Sequence, residues 1–457
     1  MDHAMRSPFL LTPPLLLTPP LLLTPRLAVT LVCGLAALSL LCCTSTVNAW
    51  EPEPEWLWST AQAIPKHTTS EGSGYFSIVA GRNGRIYVGT AKYRHNAYLV
   101  EFDPKTKRMN VVVDAQGEIG TVATGFAAQA KIHTRNNVGS SGKIYFGTKQ
   151  GHPKDDEKRS DYPGGYPMVY DPQTGGTRVY EIPVAHQGII SVTPDESRQV
   201  AYLSTCSDGW PSESSHFMQL DLRSGKYRDL LDCRHLFAFV VVDYLGRAYH
   251  PIRGGEIARF DPRSDQLDRL RQTIDGQPPS AASLLADPES HPINWDISPD
   301  RKTLYAVAMN GNRLYSYDLT QTGNALNGRC HGKLIAGATE TDCRAMCIGP
   351  DGTVWGGIAV TFGEAGQFLH LFSFRADEKD VTDHGPLAIR NAEYTEFTDE
   401  KGKTLPWHHG VHRPFQDGPL LPRYVVMGVC APPDRTVYLT TLYPFTLHEI
   451  ASLRATD

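Results

Sequence analysis

Two histidines are placed where general acid–base chemistry could be done: His133 in KIHTR and His152 in KQGHP. They lie 152 − 133 = 19 residues apart with one hairpin between them, so antiparallel pairing folds the second back towards the first. Two imidazoles facing one cavity can divide the work near neutral pH, one accepting a proton and the other donating one. Lys149 and Arg135 stand beside the pair and would offer positive charge to an anionic ligand. The connection from Thr148 to Pro167, which carries His152, is long for a compact domain. It also holds Tyr162 and Tyr166, and Tyr166 is a further candidate for proton transfer. Ordinary loop histidines and solvated cations are the competing account of these residues.

Further candidates are spread along the chain. His186, Gln187, Trp295 and Arg344 fall at or near the starts of apolar strands and, with Lys149 and Arg135, make up the expected substrate-binding set. Arg253, in HPIRGGE, is the arginine expected to meet a carboxylate, because a guanidinium fork on a glycine turn favours bidentate binding. A surface salt bridge is its alternative. Cys206 and Cys233 suit a disulfide in an oxidising compartment or, with His235 and His250, a structural zinc site. The run WHHGVH (407–412) lacks a carboxylate or cysteine at ligand spacing, so a polar insertion accounts for it. Cys343 and Cys347, four apart on one strand, are too distant to bridge each other.

The scaffold for these residues is a repeat. NGRIYVGT, SGKIYFGT, RQVAYLST, LGRAYHPI, RKTLYAVA, DGTVWGGI and DRTVYLTT are copies of one phrase, each followed by a second strand ending near an aromatic–Asp–Pro motif or a variant of it. Their anchors are Tyr87, Tyr145, Tyr202, Tyr249, Tyr305, Trp355 and Tyr438, between 47 (Tyr202 to Tyr249) and 83 (Trp355 to Tyr438) residues apart. Short β-rich runs separated by tight turns at that period predict an all-β fold, a seven-bladed β-propeller of four-stranded antiparallel blades. In such a fold the first strand of each blade lines the axis. The loops that enter it, and those that leave the second strand, open on the ligand-binding face.

Composition sets the outer bounds. With 457 residues, 41% hydrophobic and 20% charged, the chain is globular. Its charge, 44 − 49 = −5, excludes a globally basic nucleic-acid binder, so no nucleic-acid partner is expected. The prolines of FLLTPPLLLTPPLLLTP (9–25) would break a membrane helix. The apolar run 27–43 ahead of Val47-Asn48-Ala49 reads as a signal peptide cleaved near Ala49. The expectation is therefore a leader over 1–49 and one propeller domain over 50–457, secreted or periplasmic, monomeric and without a membrane span after processing.

With export, the repeat and the split histidine pair in place, the chain resembles the ulvan lyases of polysaccharide lyase families 24 and 25. The resemblance covers roughly 75–450, and its specific part is KIHTR…GKIYFGTKQGH (131–152). It implies β-elimination on a uronic acid by His133 and His152, an anionic polysaccharide as substrate, no redox cofactor and a structural zinc ion. It also implies a tyrosine and an arginine from a neighbouring blade. Where these are expected, the chain has His186 and Gln187 with Cys206, or His235 with Arg253. A metal-dependent lactonase-type hydrolase and a non-catalytic binding or scaffold propeller are the alternative functions.

Overall fold

The computed structural model describes residues 55–70, 76–207, 214–233, 239–252, 255–278, 293–363, 366–391, 410–415, 417–424 and 426–451. All belong to the unit Ala49–Asp457. The leader expected over 1–49 lies outside the described residues, as do His235 and Arg253. Among the described residues no helix is long and apolar enough to cross a membrane.

Runs rich in Val, Ile, Tyr and Phe, broken by tight turns, form antiparallel sheets in chain order. β1 (Leu57–Ala63) comes first in the chain and joins sheets formed by its end. The first sheet is β2 (Ile78–Ala80), β3 (Ile86–Gly89), β4 (Tyr98–Asp103) and β5 (Arg108–Asp114). The second is β6 (Lys131–Ile132), β7 (Asn137–Val138), β8 (Ile144–Lys149), β9 (Pro167–Tyr170) and β10 (Thr177–Val179). Then come β11 (Gly188–Asp195), β12 (Val200–Cys206), β13 (His216–Asp221) and β14 (Tyr227–Asp232). β15 (Val241–Val242), β16 (Ala248–Ile252), β17 (Glu256–Asp261) and β18 (Gln266–Ile274) follow. Their sheet is joined edge to edge, through a parallel β18–β22 pairing, to β19 (Ile293–Ile297), β20 (Thr303–Ala308), β21 (Arg313–Asp318) and β22 (Ala325–Lys333). Next are β23 (Glu340–Ile348), β24 (Val354–Thr361), β25 (Gln367–Phe374) and β26 (Thr382–Ile389), then a small hairpin, β27 (Val411–His412) with β28 (Leu421–Pro422). The last sheet is β29 (Val426–Cys430), β30 (Val437–Thr441) and β31 (Thr446–Ile450).

The first strands touch in turn: β2 meets β7, β7 meets β11, and the series runs on through β15, β19, β23 and β29 back to β2. Successive meanders around a closed circuit make this nearly all-β chain a β-propeller. β1 completes the last sheet, pairing antiparallel with β31 so that Thr60 faces Glu449. Buried beneath that join, His448 has Nδ1 3.0 Å from Ser59 Oγ and Nε2 2.9 Å from Thr441 Oγ1. The repeat-position aromatics are buried between sheets, and three of the tyrosine hydroxyls are tied to carboxylates. Tyr87 donates to Glu101 at 2.8 Å, Tyr145 to Glu196 at 2.7 Å and Tyr249 to Asp243 at 3.0 Å.

Candidate functional site

The first strand of the second sheet is broken. β6 pairs with the end of β8, β7 with its start, and the irregular residues 133–136 lie between them. In β6 the backbone of Lys131 is directly opposite Lys149, which brings two ammonium groups to one face of the sheet. Lys131 is 1% exposed and Lys149 is 0% exposed. His133, two residues beyond Lys131, is 3% exposed, with its ring edge-on to Phe76 at 5.2 Å. Burial holds the His133 pKa well below 6.5, and the charges of Lys149, Lys131, His152 and Arg344 push it further in the same direction. At neutral pH His133 is therefore an uncharged imidazole, able to accept a proton inside a cationic surround.

His152 lies close enough to His133 for its charge to act on that ring. It lies three residues past β8, its ring stacked on Tyr93 at 5.3 Å and 21°, and Lys131 Nζ lies 4.8 Å from the centre of the same Tyr93 ring. Tyr93 belongs to the connection between β3 and β4 of the preceding sheet. Gly188 leaves the room that Lys149 needs: a Cβ there would lie 2.4 Å from Lys149 Cγ and 2.7 Å from Gln150 Oε1. Gln150 is buried, and its carboxamide has no hydrogen-bond partner among the described residues. Such a group is ordinarily satisfied by water or a ligand.

Three side chains thus join the site that sequence reasoning passed over. Lys131 had a signal in its place two residues before His133, although β6 ends at Ile132 and His133 lies in the irregular stretch that follows. Tyr93 and Gln150 had none beyond position in loops. Of the expected set, His133, His152 and Lys149 come together, and Arg344 reaches them electrostatically from β23, where its Nε donates to Asp342 Oδ1 at 2.8 Å.

Other expected residues are engaged elsewhere. Arg135 is a brace, not a substrate cation: it donates to Asp296 Oδ2 at 2.6 Å, to the Met346 carbonyl at 2.9 Å and to the Trp295 carbonyl, tying three sheets together. Trp295 is fully buried in the core with its indole N–H on the Phe239 carbonyl, so it offers no face to a ligand. Gln187 accepts from Thr205 Oγ1 and donates to the Ser214 carbonyl, which uses both ends of its amide. His186 Nδ1 donates to the Tyr162 carbonyl at 2.6 Å. Tyr166 packs part-buried against the apolar cluster of Ile132, Phe146 and Met168, where burial raises its pKa. These residues hold the loops that surround the site. A separate cleft of about 690 Å³ is lined by Lys143, Arg178 and Glu196, but Glu196 is already bound by Ser140, Ser141 and Tyr145.

The expected zinc ligands divide. Cys206 and Cys233 are both buried, and no disulfide is drawn between them. Cys233 Sγ lies 3.7 Å from His250 Nε2, close to the separation of about 3.5 Å that tetrahedral zinc–sulfur and zinc–nitrogen bonds impose. His250 donates through Nδ1 to the Pro251 carbonyl at 2.6 Å, which turns the Nε2 lone pair towards Cys233 and Ser204. Both are also engaged within the protein: Cys233 Sγ donates to the Ser215 carbonyl at 3.1 Å, and Ser204 Oγ lies 2.8 Å from His250 Nε2. No group of three or more His, Cys, Asp or Glu able to hold a metal occurs among the described residues, and His235 is not one of them.

No family model matches the chain, and no curated protein matches it. Solved structures do. The extracellular domain of a hybrid two component system of B. thetaiotaomicron is similar over 87% of this chain with 10% identity and a TM-score of 0.50, and the chain spans 40% of that protein. A chain of the mitotic checkpoint complex is similar over 94% of this chain and 99% of its own length, at 10% identity and a TM-score of 0.48. The C-terminal WD40 domain of Sif2 is similar over 86% and 99%, at 10% identity and 0.46. Identity this low bears on fold alone.

Proposed function

We propose that this chain is an exported lyase, a seven-bladed β-propeller that cleaves a uronic-acid-containing, ulvan-like polysaccharide by β-elimination. What supports this reading is that His152 and the buried Lys131 and Lys149 lie close enough to the buried His133 imidazole to act on it through their charges. The uronate carboxylate would lie against the two lysines, which withdraws charge and acidifies the C5 proton. The same carboxylate offsets the cationic field on His133 and raises its basicity at the moment of binding. His133 takes the C5 proton, the C4–O bond breaks as the C4=C5 double bond forms, and His152 protonates the departing oxygen. A zinc ion held by Cys233 and His250 would fasten the sheet of β11–β14 to that of β15–β18 and take no part in these steps.

The test is ultraviolet absorbance of unsaturated uronate when the purified protein is given ulvan, heparan-type or pectic chains. Product from one of them, lost about a hundredfold or more in His133→Ala and His152→Ala, supports the assignment. No product from any, with binding retained, leaves a non-catalytic polysaccharide-binding propeller.

A further inference from the structure

The connection between β8 and β9 is fastened at two points. Its far half is held by Tyr162, fully buried, whose hydroxyl donates to Gln129 Oε1 at 2.9 Å, while Gln129 Nε2 donates to the Gly164 carbonyl at 2.9 Å. Its near half, which carries His152, is held by Glu157. The Glu157 carboxylate receives both arms of the Arg94 guanidinium, Nη1 to Oε2 at 2.8 Å and Nη2 to Oε1 at 2.7 Å. It also accepts the backbone N–H of Phe126 at 3.1 Å and of Lys154 at 2.8 Å. Four donors on one part-buried carboxylate, in a forked ion pair, make a joint of defined geometry.

This joint lies one residue from the platform under His152. Tyr93 stacks on the imidazole, and Arg94 follows it directly in a left-handed backbone conformation (φ 68°), which a non-glycine residue keeps only where its surroundings fix it. The Arg94 carbonyl accepts the N–H of Gly125, whose own φ of 70° lets the chain pass close to Glu157 and Arg94. Gly151, next to His152, has no side chain to separate it from Tyr93: a Cβ there would lie 3.1 Å from Tyr93 Cδ1. Ring, guanidinium and carboxylate therefore form one continuous clamp.

We propose that Arg94 and Glu157 are positioning residues that hold the near half of the β8–β9 connection so that the His152 imidazole stays stacked on Tyr93 beside His133. The catalytic consequence rests on the lyase reading; the structural one does not. The experiment uses the full chain with ring-labelled histidine, in Glu157→Ala and in Arg94→Lys, which keeps the charge but not the fork. Thermal melting and amide exchange outside 150–157 serve as the folding control.

The expected result in Glu157→Ala is loss of the ring-current shift that Tyr93 imposes on His152, with amide exchange across 150–157 faster by about tenfold or more. In the lyase assay kcat falls about tenfold to a hundredfold with a smaller change in KM, the signature of a misplaced catalytic group, and Arg94→Lys falls between wild type and Glu157→Ala. Wild-type His152 shifts and exchange in both variants would overturn the proposal. So would faster exchange with unchanged kcat in an enzyme that His152→Ala inactivates. If the wild-type protein forms no unsaturated product, the lyase reading fails, and the His152 shift and loop exchange alone decide for or against the clamp.

Discussion

His133 is a base whose strength is set by its neighbours. Burial and four cationic groups lower its pKa, so the acid limb of kcat/KM should lie below pH 6.5: the neutral form is needed, and it persists to lower pH than for an exposed histidine. Lys131→Met removes one of those charges. It should move the acid limb up towards 6.5 and raise KM, because the lysine both suppresses His133 and meets the substrate carboxylate. A profile of kcat/KM against pH in the variant checks both, and an unmoved limb would remove Lys131 from the site. Lys149 was legible beforehand because it shares a hairpin with His133. Lys131 is marked as part of the site only by its register directly opposite Lys149.

The break between β6 and β7 is the element that makes the site. An unbroken ladder would carry residues 133–136 onward in strict alternation. The break instead leaves Arg135 free of the β8 ladder, bridged to Ser191 of the next sheet and reaching Asp296. β11 supports the other side through Gly188, whose missing Cβ admits Lys149. Gly188→Ala places a methyl group 2.4 Å from Lys149 Cγ. It should destabilise by about 1–3 kcal/mol, as overpacked cores do, and raise KM by displacing the ammonium group. Thermal unfolding and steady-state kinetics read the two effects separately, and a neutral outcome in both would mean that Lys149 has more freedom than its burial implies.

At the scale of the whole molecule, the circuit closes through β1 on β31, and His448 sits in that seam. Burial lowers its pKa to about 3, so the folded protein holds it neutral while the unfolded chain protonates it below 6.5. Its contribution is complete above pH 6.5 and declines as pH falls towards 3. His448→Gln should accordingly reduce the acid slope of unfolding free energy by up to one proton over that window, measured by denaturant titration at a series of pH values. An unchanged slope would place the acid sensitivity in another group. Across the seam between β11–β14 and β15–β18, bound zinc would act in the same sense. The purified protein should carry zinc, and its removal by a chelator should lower the melting temperature, an effect that Cys233→Ser abolishes along with the metal.

The β class and the repeat were determined by the sequence itself, because they depend on side-chain period and turn residues, both of them local. Tyr93, Gln150 and Glu157 entered the site, and Trp295, Gln187 and Arg135 left it, only through tertiary structure. Whether an aromatic or polar residue at the start of a strand faces the cavity or the next sheet depends on which partner lies opposite, and that partner is distant in the chain: Phe239 for Trp295, Asp296 for Arg135. Hydrogen bonding and burial between sheets are properties of the closed circuit, and no segment carries them alone.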